Sequence, residues 1–233
     1  VQVYFSNNRA GKPIWPRVAI ATKPDGSAYE MRGTFNTNED IDQELSQTEI
    51  IKDRLATLPN GETFAKQDAD MRQVTALYTK CFQIDKKTKA TTYLNPALTK
   101  EELTFLYELN TPIEGFGYEK DPRIQELKAN RDVKADLSLA IGVEKTQISI
   151  TKEEALKGNI KYHYGYLYLQ GLTSAEGLTL PQTIGGDLDL QGLTSAEGLV
   201  LPQTIGGYLN LEGLTSAERQ KLKRTHPHLR IIP

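Results

Sequence analysis

The chain has almost no cysteine, no excess charge of either sign and no long apolar run, and each shortage removes a class of protein. Its one cysteine, Cys81, rules out an internal disulfide. The fold must therefore be held by packing, which fits a reducing compartment. Lys and Arg number 28 against 30 Asp and Glu, a net charge of -2, so no overall basic surface is offered to nucleic acid. Basic clusters at Lys86, Lys87 and Lys89, and at Lys221, Lys223 and Arg224, read as solvated loop and helix faces. No apolar stretch approaches the roughly 20 residues of a membrane span, so no membrane partner is expected. A cytoplasmic location is the expectation, with a secreted effector as the alternative. The chain opens on Val1 rather than Met, which leaves room for a start and a targeting segment upstream.

Catalytic signatures are missing as well. There is no Walker motif, no Gly-x-Ser-x-Gly and no His-Glu-x-x-His. His163, His226 and His228 lack metal-ligand spacing to Cys or carboxylates. Cys81 falls on an apolar helix face beside Leu77 and Tyr78 and reads as core. No catalytic residue, metal ligand or cofactor is assigned.

What is present divides near residue 145. In the first part, Val1, Val3 and Phe5 alternate with Gln2, Tyr4 and Ser6 as in a strand. Residues 17–22 and 28–34 flank the turn Pro24-Asp25-Gly26 and predict a hairpin. Helical spacing follows over 41–58 and 63–84, with Pro59-Asn60-Gly61 as the break. Thr99 and Glu102 make a capping box for 99–110, and Asp121-Pro122 opens a helix to 130. The expected fold is α+β: a mainly helical domain with a β-hairpin over 1–145, then a repeat domain over 146–233.

Residues 171–191 read GLTSAEGLTLPQTIGGDLDLQ, and 192–212 read GLTSAEGLVLPQTIGGYLNLE; a third copy opens at Gly213 and then diverges. The step from Gly171 to Gly192 is 21 residues. Each unit closes on an x-Leu-x-Leu strand at Leu167/Leu169, Leu188/Leu190 and Leu209/Leu211, whose leucines share one face. So long a step is unsuited to hairpins and suits parallel strands stacked with a returning arm between them. The glycine pairs 185–186 and 206–207 predict sharp turns into the strand. Ile148 and Ile150, 19 residues before Leu167 and Leu169, predict an earlier rung, and 229–232 a last one, making five. Thr151 and Glu154 would cap a helical return, and 216–224 another.

With Leu180-Pro181 and Leu201-Pro202 preceding their strands, the repeat resembles the short leucine-rich repeats of bacterial proteins. The resemblance implies a curved parallel-β solenoid used for binding protein. Glycines 192 and 213 stand near where that family carries asparagine. The run 105–124 is similar to bacterial proteins of unassigned function and implies no activity.

The two complete copies differ only at Thr179/Val200, Asp187/Tyr208, Asp189/Asn210 and Gln191/Glu212. Three of the four pairs occupy alternate strand positions facing away from the leucines. With Tyr166, Tyr168 and Gln170 in the preceding unit they form the columns Tyr166-Asp187-Tyr208, Tyr168-Asp189-Asn210 and Gln170-Gln191-Glu212, with neighbours about 4.8 Å apart. Neutral drift would scatter over all polar positions, yet Thr173, Ser174, Glu176, Gln182 and Thr183 are identical in the next copy. The nine column residues are therefore the expected binding surface for a protein partner, with tyrosine as the anchor. Asp187, Asp189 and Glu212 are too few, and lack the enclosing loop, to hold calcium. Two alternatives remain. One is an enzyme or effector with a site near residues 114–123, carried by Glu114 and Arg123, the solenoid selecting its substrate. The other is self-association through an open sheet edge.

Overall fold

The computed structural model describes residues 1–7, 13–33, 56–85, 87–116 and 119–232. The expected helix over 41–58 lies outside them but for its last three positions. The chain divides into two compact units, Val1–Ala97 with Thr111–Asn130, and Leu98–Asn110 with Arg131–Pro233. Among the described residues the fold is mixed α/β, with six α-helices and two parallel sheets.

The first unit begins with a three-stranded antiparallel sheet of β1 (Gln2–Asn7), β2 (Pro13–Thr22) and β3 (Ala28–Gly33), in that order. Asp25 closes the β2–β3 turn, its Oδ1 accepting from the Ser27 amide at 2.9 Å and the Ser27 hydroxyl at 2.7 Å. Helix α1 (Gly61–Cys81) starts after Asn60, which stands at φ 56°. It buries Phe64, Val74, Leu77 and Cys81 on one face, the spacing of an amphipathic helix. The sequence carries this helix to 84; the chain instead leaves it at Cys81, and β4 (Phe82–Ile84) pairs antiparallel with β5 (Thr91–Tyr93). The turn between them is set by Asp85, whose Oδ1 accepts from the amides of Lys87 (2.8 Å) and Thr88 (2.7 Å).

The second unit contains α2 (Lys100–Leu106), and the first unit resumes with α3 (Pro122–Ala129). The second then continues with α4 (Val133–Ile141), which the sequence reading overlooks. Thr99 and Glu102 form the capping box of α2, and Asp121 caps α3. Asp132 caps α4, and Gly142 ends it at φ 70°. Residues 98–110 and 131–145 therefore pack with the repeat rather than with the chain before them. A buried network explains this: the Tyr107 hydroxyl donates to Asp136 at 2.8 Å, and Arg131 grips the same carboxylate at 2.5 and 2.9 Å. Tyr107 also meets Tyr164 edge-on at 5.6 Å, and Lys134 of α4 pairs with Glu154 at 2.6 Å.

Two parallel ladders follow. One, in the order β11-β9-β7-β6, joins β6 (Ile148–Ser149), β7 (Tyr162–His163), β9 (Thr183–Ile184) and β11 (Thr204–Ile205). The other, in the order β13-β12-β10-β8, joins β8 (Leu167–Tyr168), β10 (Leu188–Asp189), β12 (Tyr208–Asn210) and β13 (Arg230–Ile231). Leu188 is in register with both Leu167 and Leu209, and Ile184 with both His163 and Ile205. The single five-rung ladder is thus replaced by two ladders of four. Ile148 registers with Tyr162 rather than with the Leu167 strand. The outer returns are helical, α5 (Lys152–Ala155) and α6 (Ser216–Thr225), while no helix interrupts the inner ones.

Between the ladders, Leu167, Leu169, Leu188, Leu190, Leu209 and Leu211 fill one core with Ile184 and Ile205. Burying each leucine contributes about 1.5–3 kcal/mol. The glycine pairs 185–186 and 206–207 stand at the expected bends into the strand, without positive φ. They permit close approach of successive coils. A Cβ on Gly186 would lie 2.7 Å from the Gly165 carbonyl carbon and oxygen, and one on Gly206 would overlap the Gly185 carbonyl oxygen.

Candidate recognition face

The β8-β10-β12-β13 ladder places one set of side chains inward and the other outward, because successive strand residues alternate. The leucines point in and are fully buried, while Tyr166, Tyr168 and Tyr208 are 59%, 54% and 52% exposed. The strand register puts Asp189 beside Tyr168 and Asn210, and continuing it one residue brings Asp187 between Tyr166 and Tyr208. Gln170, Gln191 and Glu212 follow two positions along.

The tyrosines and the acids do different things. Tyr166 and Tyr168 stack with ring centroids 5.8 Å apart and planes 25° apart. Among the described residues, the hydroxyls of Tyr166, Tyr168 and Tyr208 make no hydrogen bond. Asp187, by contrast, accepts from the Tyr208 amide at 2.7 Å. A Cβ on Gly207 would overlap that carboxylate, so glycine at 207 makes room for it. Asp189 accepts from Gln170 Nε2 at 2.7 Å and from the Gln191 amide at 3.0 Å. Asn210 repeats the latter bond, its Oδ1 accepting from the Glu212 amide at 3.1 Å. Asp187 and Asp189, in the middle of the first two columns, thus tie neighbouring rungs together, and the open groups are the three rings with exposed Glu212.

One member of the face was missed. Tyr208 is in register with Arg230, which extends the first column to Tyr166-Asp187-Tyr208-Arg230. Arg230 is exposed and, among the described residues, has no ion pair. Its signal was the alternation of Leu229-Arg230-Ile231-Ile232, 22 residues beyond Tyr208 and so one off the repeat.

A buried polar pair is joined to the tyrosine pair through the Tyr166 carbonyl. His163 and Ser149 are neighbours in the other ladder, and Ser149 Oγ lies 2.9 Å from His163 Nδ1. His163 Nε2 reaches the Tyr166 carbonyl oxygen at 3.2 Å. Burial pushes the imidazole below the ordinary histidine range, opposed by the Tyr166 bond and the Glu154 charge.

In the segment around 114–123, Glu114 and Arg123 have their polar groups engaged. Asp70 accepts from Lys66 Nζ at 2.6 Å and from the Glu114 amide at 2.8 Å, and the Glu114 carboxylate lies 3.6 Å from Lys66. Arg123 holds both oxygens of Asp121, at 2.9 and 2.6 Å, and donates to Thr75 Oγ1 at 3.0 Å. The guanidinium keeps the Asp121 carboxyl below the usual carboxylate range. Phe116 packs on Phe64 at 5.3 Å. These contacts give Glu114 and Arg123 roles in the unit's own packing. A separate open groove of about 340 Å³ runs along the return arms, between Leu178–Gln182 and Val200–Gln203 as lined in the fold.

Among the described residues no group of three or more His, Cys, Asp or Glu is placed to hold a metal ion, and no helix is long and apolar enough to cross a membrane. No family model matches the sequence, and neither a curated protein nor a solved structure matches it.

Proposed function

We propose that residues 146–233 form a short leucine-rich-repeat-like solenoid whose outward β-ladder is the docking face for a protein partner. The observation that carries this reading is the confinement of change between two otherwise identical coils. The apolar side chains that build the core are kept in both copies, and three of the four changed positions lie at alternate, outward strand positions. That surface carries rigid aromatic rings that are half exposed and make no hydroxyl hydrogen bond. Tyrosine is favoured at such sites because a large ring is immobilised at small entropic cost. Arg230 at the foot of the first column adds a second residue type enriched where binding energy concentrates. Asp187, Asp189 and Asn210 serve this face by fixing the rungs on which the rings stand.

The test is affinity capture from a source-cell lysate with the wild-type chain and with Tyr166→Ala/Tyr168→Ala/Tyr208→Ala. Unchanged circular dichroism would establish that the variant is folded. A partner retained by the wild type and lost by the variant supports the reading. Capture of the same proteins by both chains would sink it and return attention to the unit that carries Glu114 and Arg123.

A further inference from the structure

Two of the buried polar side chains, Ser149 and His163, are joined to the tyrosine edge through the Tyr166 carbonyl. His163 is on β7 and Ser149 on β6, in register. After His163 the chain turns through Tyr164 and Gly165, the latter at φ +88°, and emerges at Tyr166. The next coil rests on this turn: the Gly186 amide donates to the Gly165 carbonyl at 2.8 Å.

The hydrogen-bond roles follow from the partners. The Tyr166 carbonyl only accepts, so His163 Nε2 carries the proton at 3.2 Å. In the neutral ring Nδ1 is then bare, and the Ser149 hydroxyl donates to it at 2.9 Å. The groups around the imidazole are few. β6 contributes Ser149, and β9 contributes Thr183 and Ile184, none of them titratable in this range. α5 contributes Glu154, itself paired with Lys134 at 2.6 Å. The strand and turn contribute Tyr162 and Tyr164. Burial therefore works against the imidazolium, and Glu154 works for it.

We propose that the Ser149–His163 pair positions the Tyr166–Tyr168 edge and makes it responsive to mild acid. A proton taken from solvent by Nδ1 converts an acceptor into a donor that faces another donor. The Ser149 hydroxyl can turn its proton away and accept from Nδ1, so the cost lies in the buried charge itself; the turn at 164–166 shifts to bring the imidazolium toward solvent, and the tyrosine stack opens. His163 is in this sense a positioning residue. The consequence for binding rests on the reading of this edge as a docking face, but the titration itself needs no partner.

The experiment is a histidine and tyrosine side-chain NMR titration of the full chain between about pH 7.5 and pH 5, across the histidine range. His226→Gln and His228→Gln variants assign the other two imidazoles. The expected result is a neutral ring protonated at Nε2 at the upper end, with Tyr166 and Tyr168 ring signals moving together with His163 protonation. His163→Gln can keep both hydrogen bonds and should leave those signals flat. Should that variant fail to fold, Ser149→Ala removes the acceptor that the charged ring uses at Nδ1, a stronger bond than the one the hydroxyl gives the neutral ring, and should move the midpoint to lower pH. Tyrosine signals that stay still through the His163 transition would overturn the proposal. So would movement only with global unfolding, or an unmoved midpoint in Ser149→Ala. Partner capture repeated across the same range separates the two ideas. Equal capture at both ends with the face still required removes the switch alone. A clean titration with no dependence of capture on the tyrosines removes the docking face alone.

Discussion

Three glycines at one repeat position should respond differently to the same substitution. Gly171, Gly192 and Gly213 each open the GLTSAE hexapeptide, and none has positive φ, so alanine is conformationally acceptable at all three. Only the surroundings differ. A Cβ on Gly171 meets nothing within 4 Å. On Gly192 it would overlap the Gln170 carbonyl oxygen, and on Gly213 the carbonyl oxygens of Gln191 and Leu193. Those obstacles are backbone atoms of the preceding coil, which cannot swing aside as a long side chain can. Gly171→Ala should be neutral or stabilise by about 0.4–1 kcal/mol, because alanine loses less freedom on folding. Gly192→Ala and Gly213→Ala should each cost about 1–3 kcal/mol, toward the upper end because coils must separate. At about 2–4 °C per kcal/mol for a chain of this size, a 3 kcal/mol loss lowers Tm by about 6–12 °C. Thermal unfolding followed by circular dichroism reads the difference. Equal effects at 171 and 192 would refute stacked coils in backbone contact at this position.

Other consequences follow from the same geometry. Leu188→Ala, at a fully buried rung, should cost about 2–5 kcal/mol in urea unfolding, whereas Tyr208→Ala, outward on the neighbouring rung, should stay within about 0.5 kcal/mol; similar costs would mean the inward and outward faces are misassigned. Asp136→Ala breaks a pair in which Arg131 and Asp136 side chains are 8% and 11% exposed and should cost about 3–5 kcal/mol. Lys145→Ala, at a half-exposed pair with Asp132, should cost at most about 1 kcal/mol, and a reversed order would contradict the buried network. His163 has its folded value lowered, so the folded chain binds fewer protons than the unfolded one. Its contribution to stability is full above the unfolded value of about 6.5 and is lost as pH falls through the lower folded value. Chemical denaturation across that window should show the loss in wild type and not in His163→Gln.

The sequence was most informative where one physical rule acts over enough residues to leave a pattern. Leucine alternation repeated three times marked the inward face, and Thr99 with Glu102 and Asp121 with Pro122 marked helix starts. Its silences have causes as well. Thr183-Ile184 is a strand of two residues, too short for alternation to register, so the second ladder was invisible and Ile148 was matched to the wrong strands. The glycine pairs mark the bends into the strand as expected, but a sequence shows that a side chain is missing and not the close approach of coils that fills its place. Phe82 and Ile84 extend the apolar spacing of the helix before them, which hid the hairpin announced by Asp85. Helix 133–141 was legible in Asp132 and Gly142, its two caps, and was passed over. On the candidate face the columns are legible in the alternation, but the commitment of Asp187 to the Tyr208 amide depends on coil spacing that no sequence pattern encodes, whereas Asp189 binds the Gln191 amide two residues along its own strand.

The most direct test of the docking face is site-specific photo-crosslinking in source-cell lysate, with a benzophenone amino acid placed once at Tyr168 and once at Val200. Val200 lies in the return-arm groove and at 73% is more exposed than Tyr168, so accessibility alone favours it. A discrete protein adduct from position 168 and none of the same mass from 200 is the predicted result. The same adduct from 200 with none from 168 would contradict it and place the partner on the return arms.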